Sequence, residues 1–211
     1  MTQPWIKICG ITQNKDADYA AQLGVNALGF VFYSKSPRSI SSKVLPKIIE
    51  NLKGSVSIVA LFVDPTKDEV SEVLDSGLID LIQFHGNESE EFCSSFDTPY
   101  MKALHIKDQF LPLSVFDKYS SARYLLLDTF SRKVSGGTGK TFDWSIARDA
   151  IEKTNREIII AGGLNPTNVE HVVKAINPFG VDVSSGVESA PGTKDMTKLD
   201  RFVREARSVR S

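Results

Sequence analysis

The chain has 211 residues, 41% of them hydrophobic and 24% charged, which is enough to bury one large core or two small ones. Its 25 basic and 26 acidic residues give a net charge of -1 without a long run of one sign, so the composition indicates neither a nucleic-acid partner nor a membrane surface. No apolar run approaches the roughly 18 to 20 residues of a membrane span.

The two cysteines, Cys9 and Cys93, do not make a disulfide framework of the secreted kind. The first predicted strand begins at about residue 5, which leaves no room for a signal peptide. We therefore expect a soluble, cytoplasmic protein from a reducing compartment. A local basic site for a small anion is compatible with this charge balance.

Short apolar runs rich in β-branched or aromatic residues recur along the chain, and each is followed by a turn and then by a stretch with helical spacing. Helix candidates include 15–24, 42–52, 67–77, 144–154 and 166–176, several of which begin after Asn, Thr or Ser and stop at Gly. The runs that predict strands are 5–9, 26–32, 56–63, 79–85, 100–106, 123–128, 157–163 and 180–186.

Eight strands that alternate with helices indicate a parallel sheet, which either closes into a barrel or stays open as a doubly wound sheet. An open nucleotide-binding sheet normally carries a glycine fingerprint after its first strand, and the sequence CGITQN lacks it. The sequence therefore predicts a compact α/β protein, a single (β/α)8 TIM barrel, with residues 1–211 forming one domain. No Pro, Gly or Ser linker divides the chain.

The carboxyl ends of barrel strands form the face that carries the active site in this architecture. Cys9 ends the first predicted strand and Asp128 ends the sixth. A buried cysteine is more often a small hydrophobic residue than a reactive thiol, and Asp-Thr is common turn material. Position alone therefore makes both residues candidates without assigning their chemistry.

Two glycine-rich loops follow the seventh and eighth strands, where barrels commonly hold a phosphate between main-chain amides. Either loop alone is compatible with an ordinary tight turn, but two loops in these positions favour phosphate binding. A third stretch, residues 135–144 with Gly137, lacks the spacing of a Walker loop and indicates instead a mobile loop that folds over substrate. The predicted phosphate-binding residues are Gly162, Gly163, Ser184, Ser185 and Gly186.

Nine motifs in order, from residue 6 to about residue 196, resemble the phosphoribosylanthranilate isomerases of tryptophan biosynthesis. They are KICGIT, LGFVFYSKSPRSI, ALFVDP, IQFHGNES, KALHI, LLDT, GGTGKTFDW, AGGLNPTNV and GVDVSSGVESAPGTKD. The resemblance implies an Amadori rearrangement of N-(5'-phosphoribosyl)anthranilate to 1-(2-carboxyphenylamino)-1-deoxyribulose 5-phosphate. It implies a phosphosugar substrate, no cofactor and no metal.

The same resemblance implies that Cys9 is the general base, that Asp128 is the general acid, and that Arg38 contacts the anthranilate moiety. A planar guanidinium suits both a carboxylate and an aromatic ring, and the alternative for Arg38 is a solvated position in the loop. Cys9 needs a lowered pKa to work as a thiolate, and Asp128 needs a raised one to keep its proton.

Three further residues are candidates for substrate binding: Lys7, His85 and Asp182. Lys7 precedes Cys9 by two positions on the same strand face, so it either favours a Cys9 thiolate or is a structural lysine of the barrel. Asp182 either holds the sugar hydroxyls or pairs with Lys7 or Arg38. His85 follows the fourth strand, where it is a site residue or a hydrogen-bonded wall residue.

The sequence is also compatible with two other functions. A neighbouring phosphosugar barrel enzyme shares the phosphate loops, and a noncatalytic phosphate-binding barrel needs neither proton-transfer residue. Cys93 is expected to pack in a helix, and His105, Cys93 and His171 show no metal-ligand spacing. The sequence leaves open whether the protein is a monomer or a homodimer.

Overall fold

Eight parallel strands close into a barrel in the computed structural model, which describes residues 3–52, 56–106, 112, 114–128 and 145–209. Neighbouring strands pair in chain order, and β1 closes the barrel by pairing with β8. The predicted (β/α)8 barrel is therefore confirmed. The strands are β1 Trp5–Cys9, β2 Ala27–Val31, β3 Ser57–Phe62, β4 Leu81–Phe84, β5 Tyr100–His105, β6 Tyr124–Asp128, β7 Ile158–Ala161 and β8 Gly180–Val183.

Helices connect successive strands on the outside of the barrel, and a small antiparallel hairpin follows β8. Within the described ranges, no helix has the length and apolar character needed to cross a membrane. The helices are α1 Asn14–Gln22, α2 Leu45–Ile49, α3 Lys67–Leu74, α4 Glu90–Cys93, α5 Ser114–Lys118, α6 Ser145–Lys153, α7 Val169–Ile176 and α8 Met196–Arg207. The hairpin strands are β9 Glu188–Ala190 and β10 Thr193–Lys194, and short 3-10 turns occupy Ser42–Val44 and Ser185–Val187.

Some helix ends follow the predicted capping logic, whereas α1, α2 and α7 begin without a side-chain capping hydrogen bond. Thr66 begins α3 in a capping box with Glu69, where each side chain satisfies a backbone N–H that the helix leaves without a partner. Asp195 caps α8 through the backbone N–H of Lys198. Helix α7 ends at Asn177 rather than at a glycine, because asparagine also adopts the left-handed conformation found there, with a φ of 45°.

Alternation along the strands divides the buried residues between two cores. One set of strand residues packs outward against the helices and includes Ile6 and Ile8 of β1. The other set fills the barrel interior with small and aliphatic side chains. Lys7 pairs in register with Ala27 of β2 and Asp182 of β8, so it occupies the interior layer of the barrel.

A second buried lysine, Lys102 of β5, lies on the helix-facing side and organises the loop after β4. Its ammonium donates to Glu88 Oε2 at 3.0 Å and to the carbonyl of Gly86 at 2.7 Å. Glu88 in turn accepts from the backbone N–H groups of Asp64 and Gly86. The pair thereby joins the loop after β3 to the loop that carries His85.

Breaking this pair should be costly, because the remaining charge keeps no counterion in a buried site. We expect Lys102→Met to lower the free energy of unfolding by about 3–5 kcal/mol, measured by urea denaturation. The matched control is Lys174→Met, which removes an exposed ion pair with Glu170 and should cost less than about 1 kcal/mol. An equal decrease in the free energy of unfolding in the two variants would contradict the view that the buried charge of Glu88 needs Lys102. So would a double variant, Lys102→Met with Glu88→Gln, that is no more stable than Lys102→Met.

Candidate active site

The predicted site residues of the described chain gather at the carboxyl ends of the strands, the face expected from the barrel topology. Cys9 ends β1, Asp128 ends β6, and His85 directly follows β4. Asp182 lies in β8 and Arg38 in the segment after β2. Gly137 falls outside the described residues.

Cys9 is a free, buried thiol beside the ammonium of Lys7. Lys7 is fully buried, and its Nζ lies 3.0 Å from Asp182 Oδ1. A Cβ atom on Gly29 of β2 would stand 2.9 Å from Cys9 Sγ and 3.0 Å from Lys7 Nζ. Glycine at this position therefore gives the thiol and the ammonium room to lie side by side.

The charges around Cys9 act in opposite directions. Burial raises the pKa of the Cys9 thiol, the Lys7 ammonium lowers it, and the Asp182 carboxylate raises it again. The net pKa is above the ordinary thiol value, so Lys7 opposes the effect of burial without cancelling it. Burial lowers the pKa of Lys7, but Asp182 and Cys9 outweigh burial and raise it, which keeps this lysine charged. Of the alternatives open for Asp182, the structure has the pairing with Lys7.

Arg38 is held by Glu188 of the β9–β10 hairpin in a two-pronged contact. Its Nε donates to Glu188 Oε1 at 2.8 Å, and its Nη2 donates to Oε2 at 2.6 Å. This leaves the Nη1 edge of the guanidinium directed away from Glu188. Burial raises the pKa of Glu188, but hydrogen bonds from Arg38 and Lys194 outweigh burial and hold the pKa below its ordinary value. Glu188 is therefore a carboxylate near neutral pH.

Lys194 connects this hairpin to the end of β1 and to the residue that follows β8. Its buried ammonium donates to the carbonyl of Cys9 at 2.6 Å, to Glu188 Oε1 at 2.8 Å and to the carbonyl of Ser184 at 3.3 Å. The site candidates chosen from sequence include neither Glu188 nor Lys194. In the sequence, the motif ESAPGTK places these two charges at its ends, but it does not indicate which groups they contact.

Asp128 lies against two histidines from neighbouring strands. Its Oδ2 is 3.1 Å from His85 Nε2 and 3.8 Å from His105 Nδ1. Gln83 of β4 lies two residues before His85, and its Nε2 is 3.0 Å from His85 Nδ1, a contact that orients the imidazole ring. The structure therefore places His85 beside Asp128, and its role as a site residue stays a prediction. His105 is not among the residues predicted from the sequence, where its only signal is its place at the end of β5.

The two glycine-rich loops meet where phosphate binding is predicted. Gly162 and Gly163 have φ values of 86° and 70°, conformations that L-residues with side chains rarely adopt. Gly186 approaches the carbonyl of Leu164 so closely that a Cβ would lie 1.9 Å from its oxygen. The loops after β7 and β8 therefore pack directly against each other, with Ser184 and Ser185 between β8 and this contact.

Comparisons with known proteins agree over nearly the whole chain. The family model described as N-(5'phosphoribosyl)anthranilate (PRA) isomerase matches residues 6–205. The N-(5'-phosphoribosyl)anthranilate isomerase of Geotalea uraniireducens is 45% identical over 204 residues, covering 97% of this chain and 98% of that protein. The crystal structure of phosphoribosyl anthranilate isomerase from Thermotoga maritima has a TM-score of 0.86 at 35% identity and covers 98% of this chain and 100% of the other.

A second solved structure contains a bound ligand. It is a phosphoribosyl anthranilate isomerase in complex with reduced 1-(o-carboxyphenylamino)-1-deoxyribulose 5-phosphate. It is 33% identical, has a TM-score of 0.81, and covers 98% of this chain and 100% of that chain.

Removing the Lys7 ammonium should raise the pKa of Cys9, because the thiolate then loses its neighbouring positive charge. We expect Lys7→Met to move the pH of half-maximal Cys9 alkylation upward by about one pH unit or more, followed by mass spectrometry of the Cys9 peptide. The thiol of Cys93 is a poor competitor, since burial raises its pKa to about 12. Lys153→Met, at an exposed pair with Asp149, is the control and should leave the profile unchanged.

Lys7→Met changes the pKa of Cys9 in two ways: it removes the Lys7 ammonium, and it leaves the Asp182 carboxylate without a counterion. The double variant Lys7→Met with Asp182→Asn removes both charges and so separates the two effects. Its alkylation profile should lie between those of the parent and Lys7→Met. An unchanged profile in Lys7→Met would show that Lys7 has only a structural role.

Proposed function

We propose, from the premise that this chain belongs to the N-(5'-phosphoribosyl)anthranilate isomerase family, that Cys9 and Asp128 carry the two proton transfers of the family's reaction. The enzyme converts N-(5'-phosphoribosyl)anthranilate to 1-(2-carboxyphenylamino)-1-deoxyribulose 5-phosphate, a step of tryptophan biosynthesis. The observation that carries the proposal is the position of a thiol and a carboxyl at the same end of one barrel, on β1 and β6.

The first step needs an acid. Asp128 donates a proton to the furanose ring oxygen, the bond between that oxygen and C1 breaks, and the nitrogen lone pair forms the protonated Schiff base. The carboxyl group that loses the proton is then an anion beside His85, whose Nε2 lies 3.1 Å from Asp128 Oδ2. An N–H donor at this distance stabilises the carboxylate as it forms.

The second step needs a base. The Cys9 thiolate removes the proton from C2, and the electrons of that C–H bond form the C1–C2 double bond as the iminium nitrogen is neutralised. The resulting enolamine becomes the aminoketose when its C2 hydroxyl loses a proton and C1 gains one. The neighbouring Lys7 ammonium favours the thiolate, whereas burial opposes it.

We assign the remaining contacts by chemistry. Main-chain amides around Gly162, Gly163, Ser184, Ser185 and Gly186 bind the phosphate, supported by the open space beside Gly163, where a Cβ would meet nothing within 4 Å. The Nη1 edge of Arg38 binds the anthranilate carboxylate, and Glu188 sets the orientation of that edge. Asp182 acts mainly through Lys7, so direct contact with the sugar hydroxyls is a secondary role.

The wider setting also belongs to this proposal. We assign the protein to the cytoplasm, supported by the free thiols of Cys9 and Cys93, and expect neither a nucleic-acid nor a membrane partner. A one-domain organisation over residues 1–211 and a monomeric or homodimeric state remain predictions.

Loss of the base should abolish turnover while leaving binding intact. We expect Cys9→Ser to lower kcat by about 100-fold or more, because a serine hydroxyl is a far weaker acid than a thiol and forms no anion at neutral pH. The decrease in anthranilate-conjugate fluorescence follows turnover, and calorimetry with the reduced product analogue checks binding.

The matched control is Cys93→Ser, the same substitution at the other buried cysteine, which should retain kcat even if the protein is less stable. Turnover of Cys9→Ser at the parental rate would remove Cys9 from the base role. A loss of both turnover and analogue binding would indicate damage to the site.

Neutralising Glu188 should weaken binding of the substrate carboxylate more than it slows chemistry. We expect Glu188→Gln to raise KM roughly tenfold with a smaller change in kcat, because Arg38 loses its charged partner and its fixed orientation. Glu170→Gln, at an exposed pair with Lys174, is the control.

A ligand pair isolates the carboxylate contact from general damage. Glu188→Gln should weaken binding of the reduced product analogue but not of its counterpart that lacks the carboxyl group. Equal weakening for both ligands would contradict the orienting role of Glu188.

A further inference from the structure

We propose that His85, His105 and Asp128 form a binding site for a divalent transition ion such as Zn²⁺, and that the bound ion inhibits the enzyme. The inhibition, but not the binding, rests on the proposed role of Asp128 as the general acid. The ion is an inhibitor in this proposal and takes no part in the isomerisation.

The three side chains converge at the barrel mouth from consecutive strands. His105 and Asp128 are register partners at the ends of β5 and β6, and His85 follows β4. One ligand atom from each residue lies within 4.8 Å of the other two. Around a tetrahedral Zn²⁺ with bonds of about 2.1 Å, such atoms lie about 3.4 Å apart. The site therefore needs only a modest closing movement.

His105 is able to make that movement and already presents the correct nitrogen. Its Nε2 lies 3.0 Å from the backbone carbonyl of His85, an acceptor that requires an N–H donor. In the neutral ring, the proton is thus on Nε2, and the lone pair of Nδ1 faces Asp128. A ligating histidine usually has this arrangement, with its second nitrogen donating to a carbonyl or carboxylate. The side chain is 39% exposed and has space to turn.

Gln83 supplies a corresponding partner for His85. The side chain of Gln83 is buried, and its Oε1 has no hydrogen-bond partner among the described residues, while its Nε2 faces His85 Nδ1 at 3.0 Å. Rotation of the amide by about 180° exchanges these two atoms. Oε1 then accepts from His85 Nδ1–H, and the lone pair of His85 Nε2 becomes available to a metal ion. Gln83 Oε1 is thus the hydrogen-bond acceptor that the second ring nitrogen of a metal-bound His85 requires.

The donor set selects the class of ion. Two imidazole nitrogens and one carboxylate suit Zn²⁺ and its neighbours, whereas Mg²⁺ and Ca²⁺ prefer oxygen ligands. Three protein ligands leave a fourth position for water. Coordination requires the carboxylate form of Asp128, so an occupied site has no carboxyl proton to donate to the ring oxygen.

His105→Gln tests the site, because this residue is outside the proposed catalytic and substrate-binding set. Equilibrium dialysis of the intact protein against ZnCl₂, followed by metal analysis, should give one Zn²⁺ per chain. We expect His105→Gln to weaken that binding by about 10- to 100-fold or more and to leave metal-free turnover near the parental rate. His171→Gln changes the remaining histidine, which is exposed on α7, and should bind Zn²⁺ like the parent.

Turnover should fall in proportion to Zn²⁺ occupancy and return when a chelator is added. Co²⁺ in place of Zn²⁺ reports the ligands, and its absorption spectrum should lack the thiolate-to-metal band that coordination by Cys9 would produce. The absence of stoichiometric Zn²⁺, equal affinity in the two histidine variants, or a thiolate band that disappears in Cys9→Ser would overturn the site. Full turnover at saturating Zn²⁺ would leave the site standing and remove Asp128 from the acid role.

Discussion

The ion pair between Lys7 and Asp182 crosses the seam at which the barrel closes. The two residues are register partners on the first and last strands, 175 positions apart in the chain. Lys194 makes a second connection across the same seam by binding the carbonyls of Cys9 and Ser184. Closure of the barrel and assembly of the thiol site are therefore linked, because Lys7 meets Asp182, and Lys194 meets the carbonyl of Cys9, only where β1 and β8 come together.

Stability alone does not explain charges in this interior. Removing two charged groups from water costs several kcal/mol per ion, and a well-packed apolar pair of similar volume is often at least as stable. The hydrophobic part of the barrel interior is built from alanine, valine, leucine, isoleucine and methionine. The Lys7–Asp182 pair instead keeps a permanent positive charge beside Cys9 in a place that water does not reach.

The sequence predicts the barrel, and the end of the barrel at which the candidate residues gather, but it predicts contacts between distant residues poorly. Runs such as residues 157–163 are strongly β-forming, and barrel topology then brings Cys9 and Asp128 to one end. The partners of Asp182 and Arg38 stayed open, since a charge in a sequence does not reveal which opposite charge will face it. The structure pairs Asp182 with Lys7, and Arg38 with Glu188, which is 150 positions away.

Gly29 shows how the absence of a side chain constrains its neighbours. Gly29 does not have a positive φ, so its backbone conformation does not require glycine. Glycine is required because the side chains of Cys9 and Lys7 lie too close for a Cβ atom. A methyl group on this strand would push the sulfur and the ammonium apart. A side chain at position 29 is therefore compatible with the fold only if positions 7 and 9 change with it, and a library that varies one of these three positions at a time would miss the viable combinations.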